Sequence, residues 1–283
     1  MAATQPSRTP TVYESTATGL PPLRPYFSEL WGRRRFVWHL ARSDLKAEHY
    51  DSAIGQLWVI LDPLLLAAVY FLLRTVVRPA GTGAARNAII AHLVWAVFVF
   101  TFVSNSMMAG ARSLLSGRAL ILNAAFPRAV LPITAIVKAV FDFLPTVLIY
   151  FAFHLVLGQP FGKALLVLPL IVVLLAIMSL GLGLLFAPLM VLYRDTGGFL
   201  PYLTKVWLYV TPALYFVIEI PPKLLVYLRW NPLYPSFAAL EQIFKAQMPS
   251  SVYLLATAAW AFGFFFLGAI VFLARERDFA VRL

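Results

Sequence analysis

Six stretches of this chain, at about 57–77, 88–108, 133–156, 164–192, 202–219 and 252–273, are apolar for about 20 residues or more. That is the length a helix needs to cross the hydrocarbon core of a bilayer, where the backbone must satisfy its own hydrogen bonds. The expected fold is therefore an all-α integral membrane protein with six transmembrane helices. Composition agrees, since 61% of the 283 residues are hydrophobic and only 12% are charged, too apolar for a soluble domain of this size. The fourth stretch is long enough to tilt, or to break at Pro169 or Pro188.

An even number of spans places both termini on one side, and the arginines and lysines say which. Arg8, Arg24, Arg33 to Arg35, Arg42, Lys46, Arg112, Arg118, Arg128, Arg194, Lys205, Arg275, Arg277 and Arg282 fall on the side of the termini. Only Arg78, Arg86, Lys163, Lys223, Arg229 and Lys245 fall opposite. By the positive-inside rule both termini are cytoplasmic and the chain sits in the cytoplasmic (inner) membrane. The same bias accounts for the net charge of +11 without nucleic acid, because no aromatic-plus-basic module accompanies it. With no cysteine, and with His39, His49, His92 and His154 at no ligand spacing, neither a disulfide framework nor a metal site is expected.

The first 25 residues are rich in Pro, Ser and Thr, lack the apolar run of a signal peptide, and read as a disordered cytoplasmic tail. Residues 26–52 read as an amphipathic interface helix. Leu30, Val37, Leu40 and Leu45 fall along one side for membrane lipid, and Arg33, Arg34, Arg35, Arg42 and Lys46 fall elsewhere, near anionic headgroups. The six-span domain, 53–283, follows. Its entrance, LARSDLKAEHYDSAIGQLWVILDP at 40–63, turns within a few residues from alternating charge (Arg42, Asp44, Lys46, Glu48, Asp51) to a membrane span.

Between spans two and three, residues 110–132 are cytoplasmic yet half apolar, helical in pattern to Asn123, then turning at Phe126-Pro127-Arg128 before Pro132 starts the next helix. Such a helix either satisfies itself at the membrane surface or is presented to a soluble partner. In the third span Lys138 and Asp142 lie four residues apart, on one helical face. Charges at that depth face each other or a cavity, so they form an ion pair near the cytoplasmic mouth or line the path of a polar cargo. Gly162-Lys163-Ala164 lacks the spacing and the Ser or Thr of a phosphate loop, and no other nucleotide loop occurs. Residues 220–250 lie outside but are apolar, aromatic and broken by Pro221, Pro222, Pro232 and Pro235. Two short re-entrant helices interrupted at Asn231-Pro232 fit them, with Glu241, the lone acid, facing water or the channel.

Four of these features together resemble the ABC-2 type permeases, the membrane subunits of ABC exporters for lipid-linked polysaccharides such as O-antigen and teichoic acid chains. They are the Arg42-x-Asp44-Leu45 to Gly55-x-Leu57-Trp58 and Pro63 entrance, the Asn123-x-x-Phe126-Pro127-Arg128 loop, Tyr193-Arg194-Asp195 followed by Thr211-Pro212, and the Asn231-Pro232 step. The resemblance implies a homodimer paired with two copies of an ABC ATPase subunit, which binds the ATP and Mg; no cofactor and no catalytic residue belongs to this chain. It implies coupling to the ATPase through Arg42, Asp44, Asn123, Phe126, Pro127, Arg128, Arg194 and Asp195. It also implies a conduit lined by spans one and five, and an external gate at Asn231, Pro232 and Glu241.

Sugar rings stack their C–H faces on aromatic rings, so channel candidates are Tyr70, Phe71, Trp95, Phe98, Phe102, Tyr215 and Phe216, with Lys138 and Asp142. Membrane interfaces are aromatic in any case, and only some of these, from spans one and five, are expected to line the path. The implied cargo is a polyprenyl-diphosphate-linked polysaccharide; an arginine-rich, lysine-poor composition with a polar tail resembles the galactan exporters of mycolic-acid bacteria. Alternatives are an ABC-2 exporter of drugs or small lipids, or an ion-coupled secondary transporter, which would need midplane acids related by an internal repeat, whereas no repeat is found and Asp142 stands alone. A membrane-embedded transferase would need an acidic or histidine constellation, and Asp44, Glu48 and Asp51 form the only acidic cluster.

Overall fold

The computed structural model describes residues 22–48, 55–77, 81–193 and 195–282. Among these every regular element is a helix and there is no strand, as expected of an integral membrane protein. Two helices, α1 (Leu23–Gly32) and α2 (Arg34–Glu48), precede α3 (Trp58–Val77), α4 (Ala84–Ser116), α5 (Arg118–Asn123), α6 (Val130–Val156) and α7 (Leu168–Leu192). Then come α8 (Thr196–Val210), α9 (Pro222–Leu228), α10 (Tyr234–Phe244), α11 (Ser251–Arg275) and α12 (Phe279–Arg282). Five helices, α3, α4, α6, α7 and α11, are long and apolar enough to cross a bilayer.

The sixth expected span, at 202–219, takes a different form. α8 has 15 residues and stops at Val210, giving a rise of about 22 Å against a hydrocarbon core of about 30 Å. Thr211–Phe216 then runs without helix into a short 3-10 turn, Val217–Glu219. Pro212 is the cause, since proline removes a donor from the ladder and disfavours helix at the residue before it. The prolines of the fourth span act otherwise. Pro169 occupies the first turn of α7, where its missing N–H costs nothing, and α7 runs through Pro188 to Leu192 unbroken.

α4 is the axis of the bundle. Every residue from Ala91 to Phe100 is buried, because α3, α6 and α7 pack around it. Helices in lipid associate by close packing of small residues. Gly110 of α4 meets Gly183 of α7 so closely that a Cβ on either would lie 3.0 Å from the other's Cα. Gly181 of α7 and Gly268 of α11 are tighter still: a Cβ on Gly181 would fall 2.4 Å from the Phe264 carbonyl carbon.

The expected interface helix divides in two at Arg33, whose N–H still bonds back to Glu29 and Leu30. α1 keeps Leu23, Phe27 and Trp31 exposed along one side, which suits a bilayer surface, with Arg34 stacked over Trp31 at 5.5 Å. The apolar face of α2 is covered by protein instead of lipid, for Val37 and Ala41 are buried against α6 and Trp38 meets Phe141 at 5.0 Å. At the other end the break at Asn231-Pro232 separates two unlike helices. α9 has no buried residue, whereas α10 is buried along nearly its whole length. The expected tail, residues 1–25, lies mostly outside the described residues, as does the charged turn 49–54.

Candidate functional site

At the end carrying α5, the residues expected to face a soluble partner divide into an anchored and an exposed set. Gly117 caps α4 where a Cβ would strike Leu131 at 2.6 Å, so the chain turns tightly into α5. Leu122, Asn123, Ala124 and Ala125 are exposed, and the Asn123 side chain caps inward onto the Ala119 carbonyl at 2.8 Å. Phe126 is half-buried with its ring 6.3 Å from Phe36, and Pro127 is buried. The Arg128 backbone N–H donates to a Glu276 carboxylate oxygen at 2.7 Å and its guanidinium donates to the Glu276 carbonyl. The Phe-Pro-Arg motif therefore holds the loop down, while the preceding four residues face out. Tyr26 packs beside the same carboxylate; burial first, and Glu276 next, push its hydroxyl well above the ordinary tyrosine range.

Arg42 and Asp44 are exposed on α2, and Asp195 is exposed at the start of α8, where its carbonyl accepts from Gly198 and Phe199. Arg194 lies outside the described residues.

Deeper at the same end, α3, α4 and α6 enclose a cavity of about 480 Å³ lined by Asp62, Thr101, Asn105, Arg112, Lys138, Asp142 and Thr146 over an apolar floor that includes Phe98 and Phe102. Lys138 and Asp142 pair at 2.9 Å with side chains about a fifth exposed. Lys138 and Asp142 thus form an ion pair, and both line this cavity. Asp62 completes the cavity, a residue that the sequence reading passed over within an apolar run.

Of the aromatic candidates, Trp95 is core. It is 3% exposed and packs on Phe237 at 5.6 Å and Phe244 at 5.3 Å. Phe102 stacks on Phe143 at 4.5 Å. Tyr70 and Phe71 are half-buried on α3, and Tyr70 meets Tyr209 edge-on at 6.2 Å. Tyr215 turns back to the end of α8, its hydroxyl 3.3 Å from the Val210 carbonyl.

The most exposed residues are others. Phe199, Tyr202, Val206 and Tyr209 of α8 are each about 60% exposed or more, and their spacing of three, four and three residues places them on one stripe. Lys205 lies 5.3 Å over the Tyr202 ring. On α3, Leu65, Val69, Leu72 and Val76 make a second exposed stripe. Helical periodicity alone was the signal that would have found the first one.

At the α10 end a charged cluster fastens the non-helical segment after α8. Arg74, in the last turn of α3, donates to Glu219 at 2.6 Å and to the Leu214 carbonyl at 3.2 Å. Two cations lie over the Phe216 ring, Arg74 at 5.6 Å and Lys245 at 5.0 Å, and His92 meets it at 4.3 Å. Phe216 is thus a fastening and not a free stacking surface. Glu241 faces neither water nor a channel, being 7% exposed, paired with Lys245 at 2.6 Å and accepting from the Val217 N–H at 2.9 Å. A buried carboxylate needs such partners, and the lysine four residues on supplies one while the Val217 N–H supplies the other.

Asn231 is buried and uses its whole amide. It accepts from Trp207 Nε1 at 2.8 Å and the Leu233 N–H at 3.0 Å, and donates to the Val210 carbonyl and Thr211 hydroxyl at 3.1 and 3.0 Å. Pro232, half-buried beside it, ends the preceding turn. The sequence reading missed Arg74, although a charge inside an apolar run was a signal. It also missed Glu276, which sits between two arginines and gave none.

No family model matches the chain. An O-antigen export system permease protein, RfbA, of Myxococcus xanthus is 28% identical over 260 residues, 89% of this chain and 96% of the relative. Two RfbA permease proteins of Klebsiella pneumoniae are 28% and 27% identical over 207 residues, each covering 72% of this chain and 78% of the relative. The resemblance to polysaccharide-export permeases, first carried by four short motifs, therefore extends over most of the chain.

Proposed function

We propose that this chain is the membrane-spanning subunit of an ATP-driven exporter that carries a polyprenyl-diphosphate-linked polysaccharide across the cytoplasmic membrane. The observation that carries the reading is the likeness over 89% of the chain to a relative named as an O-antigen export permease. Two copies pair and leave a conduit between them, and each binds one ABC ATPase subunit, which holds the ATP and Mg. Both termini and α5 lie on the cytoplasmic side, where Leu122–Ala125, with Arg42 and Asp44, meets the ATPase. By resemblance to the galactan exporters of mycolic-acid bacteria, the cargo proposed is a galactan.

The exposed faces of α3 and α8 support this arrangement. Tyrosine hydroxyls facing hydrocarbon lack partners, whereas along a wet conduit they hydrogen-bond while their rings stack on sugars. Tyr202 on the α8 stripe fits such a path, and the short, unwound end of α8 fits irregular backbone that lines a cavity. Asn231, Pro232 and Glu241 hold the outlet through their ties to the end of α8 and to Val217.

The test is reconstitution of the full chain with its ABC ATPase in lipid and measurement of glycan translocation. The reading expects a stable complex and ATP-dependent movement of a polyprenyl-diphosphate-linked glycan. A chain that binds no ATPase, or a complex whose ATP hydrolysis moves no such glycan, would overturn it.

A further inference from the structure

The backbone between α5 and α6 has no helical ladder of its own, so its polar groups depend on partners from elsewhere. Two distant parts of the chain provide them. From the amino-terminal side Arg33 donates to the Ala125 carbonyl at 3.3 Å. From the carboxyl-terminal side Glu276 accepts the Arg128 N–H at 2.7 Å.

Glu276 is 7% exposed although it lies in a charged turn next to Arg275 and Arg277, where a glutamate is ordinarily solvated. Phe272 and Phe279 flank it on both sides and keep it there. Both rings are buried, 5.3 Å apart, in one apolar cluster with Leu114, Ile121 and Ala129 of the loop region. Because the donor is a backbone N–H, no substitution at residue 128 short of proline removes this bond.

We infer that Glu276 is the positioning residue of this loop: its carboxylate fixes the Arg128 amide and so sets the pose in which Leu122–Ala125 is presented. That this pose serves an ATPase rests on the export reading above. This hydrogen bond satisfies a backbone donor that would otherwise be left unmet. Through it, a push on the loop reaches the end of α11, the helix locked against α7 by Gly268 and Gly181.

The experiment is hydrogen–deuterium exchange of the full chain in lipid nanodiscs, alongside ATPase turnover of its complex. E276A is expected to speed exchange in a peptide covering 124–130 by about 10-fold, leave peptides of α4, α7 and α11 unchanged, and lower coupled ATPase turnover several-fold. E276Q, whose amide oxygen still accepts, restores most of both; R128A, which leaves the backbone bond intact, loosens the peptide less than E276A does. Unchanged protection of 124–130 in E276A, or E276Q behaving like E276A, would overturn the inference. If E276A unfolds as a whole, E276D decides, since its shorter carboxylate must loosen this peptide alone; no loosening counts against the clamp. A wild-type chain that captures no ATPase defeats the export reading, while the exchange data still decide the clamp.

Discussion

α4, α7 and α11 meet where side chains vanish, while α3 and α8 turn large side chains outward. In the first region Gly110 faces Gly183 and Gly181 faces Gly268, so the contacts are backbone on backbone. In the second, Phe199, Tyr202, Val206 and Tyr209 point away from the bundle, and one edge-on contact, Tyr70 with Tyr209, bridges the two helices. Small residues at an interface allow no rearrangement without loss of packing. The difference separates a fixed frame from a face left to meet something else, and Asn231 stands where they join, tying the end of α8 to α10.

The comparison breaks most visibly at the glycines. Gly181→Ala puts a methyl against the Phe264 and Phe265 backbone, which no rotamer relieves, so a loss of about 3 kcal/mol or more, or no folded protein, is expected by thermal melting in detergent. Gly263→Ala, in α11 where a Cβ meets nothing within 4 Å, should stay within about 0.5 kcal/mol of wild type. Equal effects of the two would dissolve the frame.

At the junction, Asn231→Ala strands the Trp207 Nε1–H and the Leu233 N–H, and a loss of about 3 kcal/mol is expected from two unmet buried donors. Smaller is the effect at the cavity. Asp142→Leu should cost about 1–2 kcal/mol, because it takes away the carboxylate that pairs with the Lys138 ammonium. A loss below about 0.5 kcal/mol would mean that the pair contributes little to stability. Least costly to stability is the α8 stripe. Phe199→Ala with Tyr202→Ala should melt within about 0.5 kcal/mol of wild type yet slow glycan export about 10-fold, the cost of roughly one lost stacking contact.

The long spans were legible because lipid imposes one requirement on length and polarity, and α3, α4, α6, α7 and α11 meet it plainly. So were the loop helix ending at Asn123, the break at Asn231-Pro232 and the Lys138–Asp142 pair, each set by local chemistry: a run of periodic residues, a proline, a spacing of four. What was not legible depends on partners far apart in sequence. Phe216 looked like a ring for sugars until Arg74 and Lys245, 142 and 29 positions away, were found over its ring. Glu241 looked water-facing because its second partner, the Val217 N–H, comes from an unwound segment that no helical pattern announces. The end of α8 at Val210 was misjudged for a related reason, since apolarity continues past the point where Pro212 stops the helix.

The central claim is that the exposed face of α8 borders a water-filled path. The chain has no cysteine, so single cysteines can be placed without background. Tyr202→Cys and Tyr209→Cys on α8, with Phe266→Cys and Ile270→Cys on the exposed side of α11 for comparison, would be treated with a charged, membrane-impermeant thiol reagent during ATP turnover of the complex. The account predicts rapid labelling of both α8 positions with loss of export, and protection of both α11 positions by lipid. Labelling that spares α8, or that treats α8 and α11 alike, would contradict it.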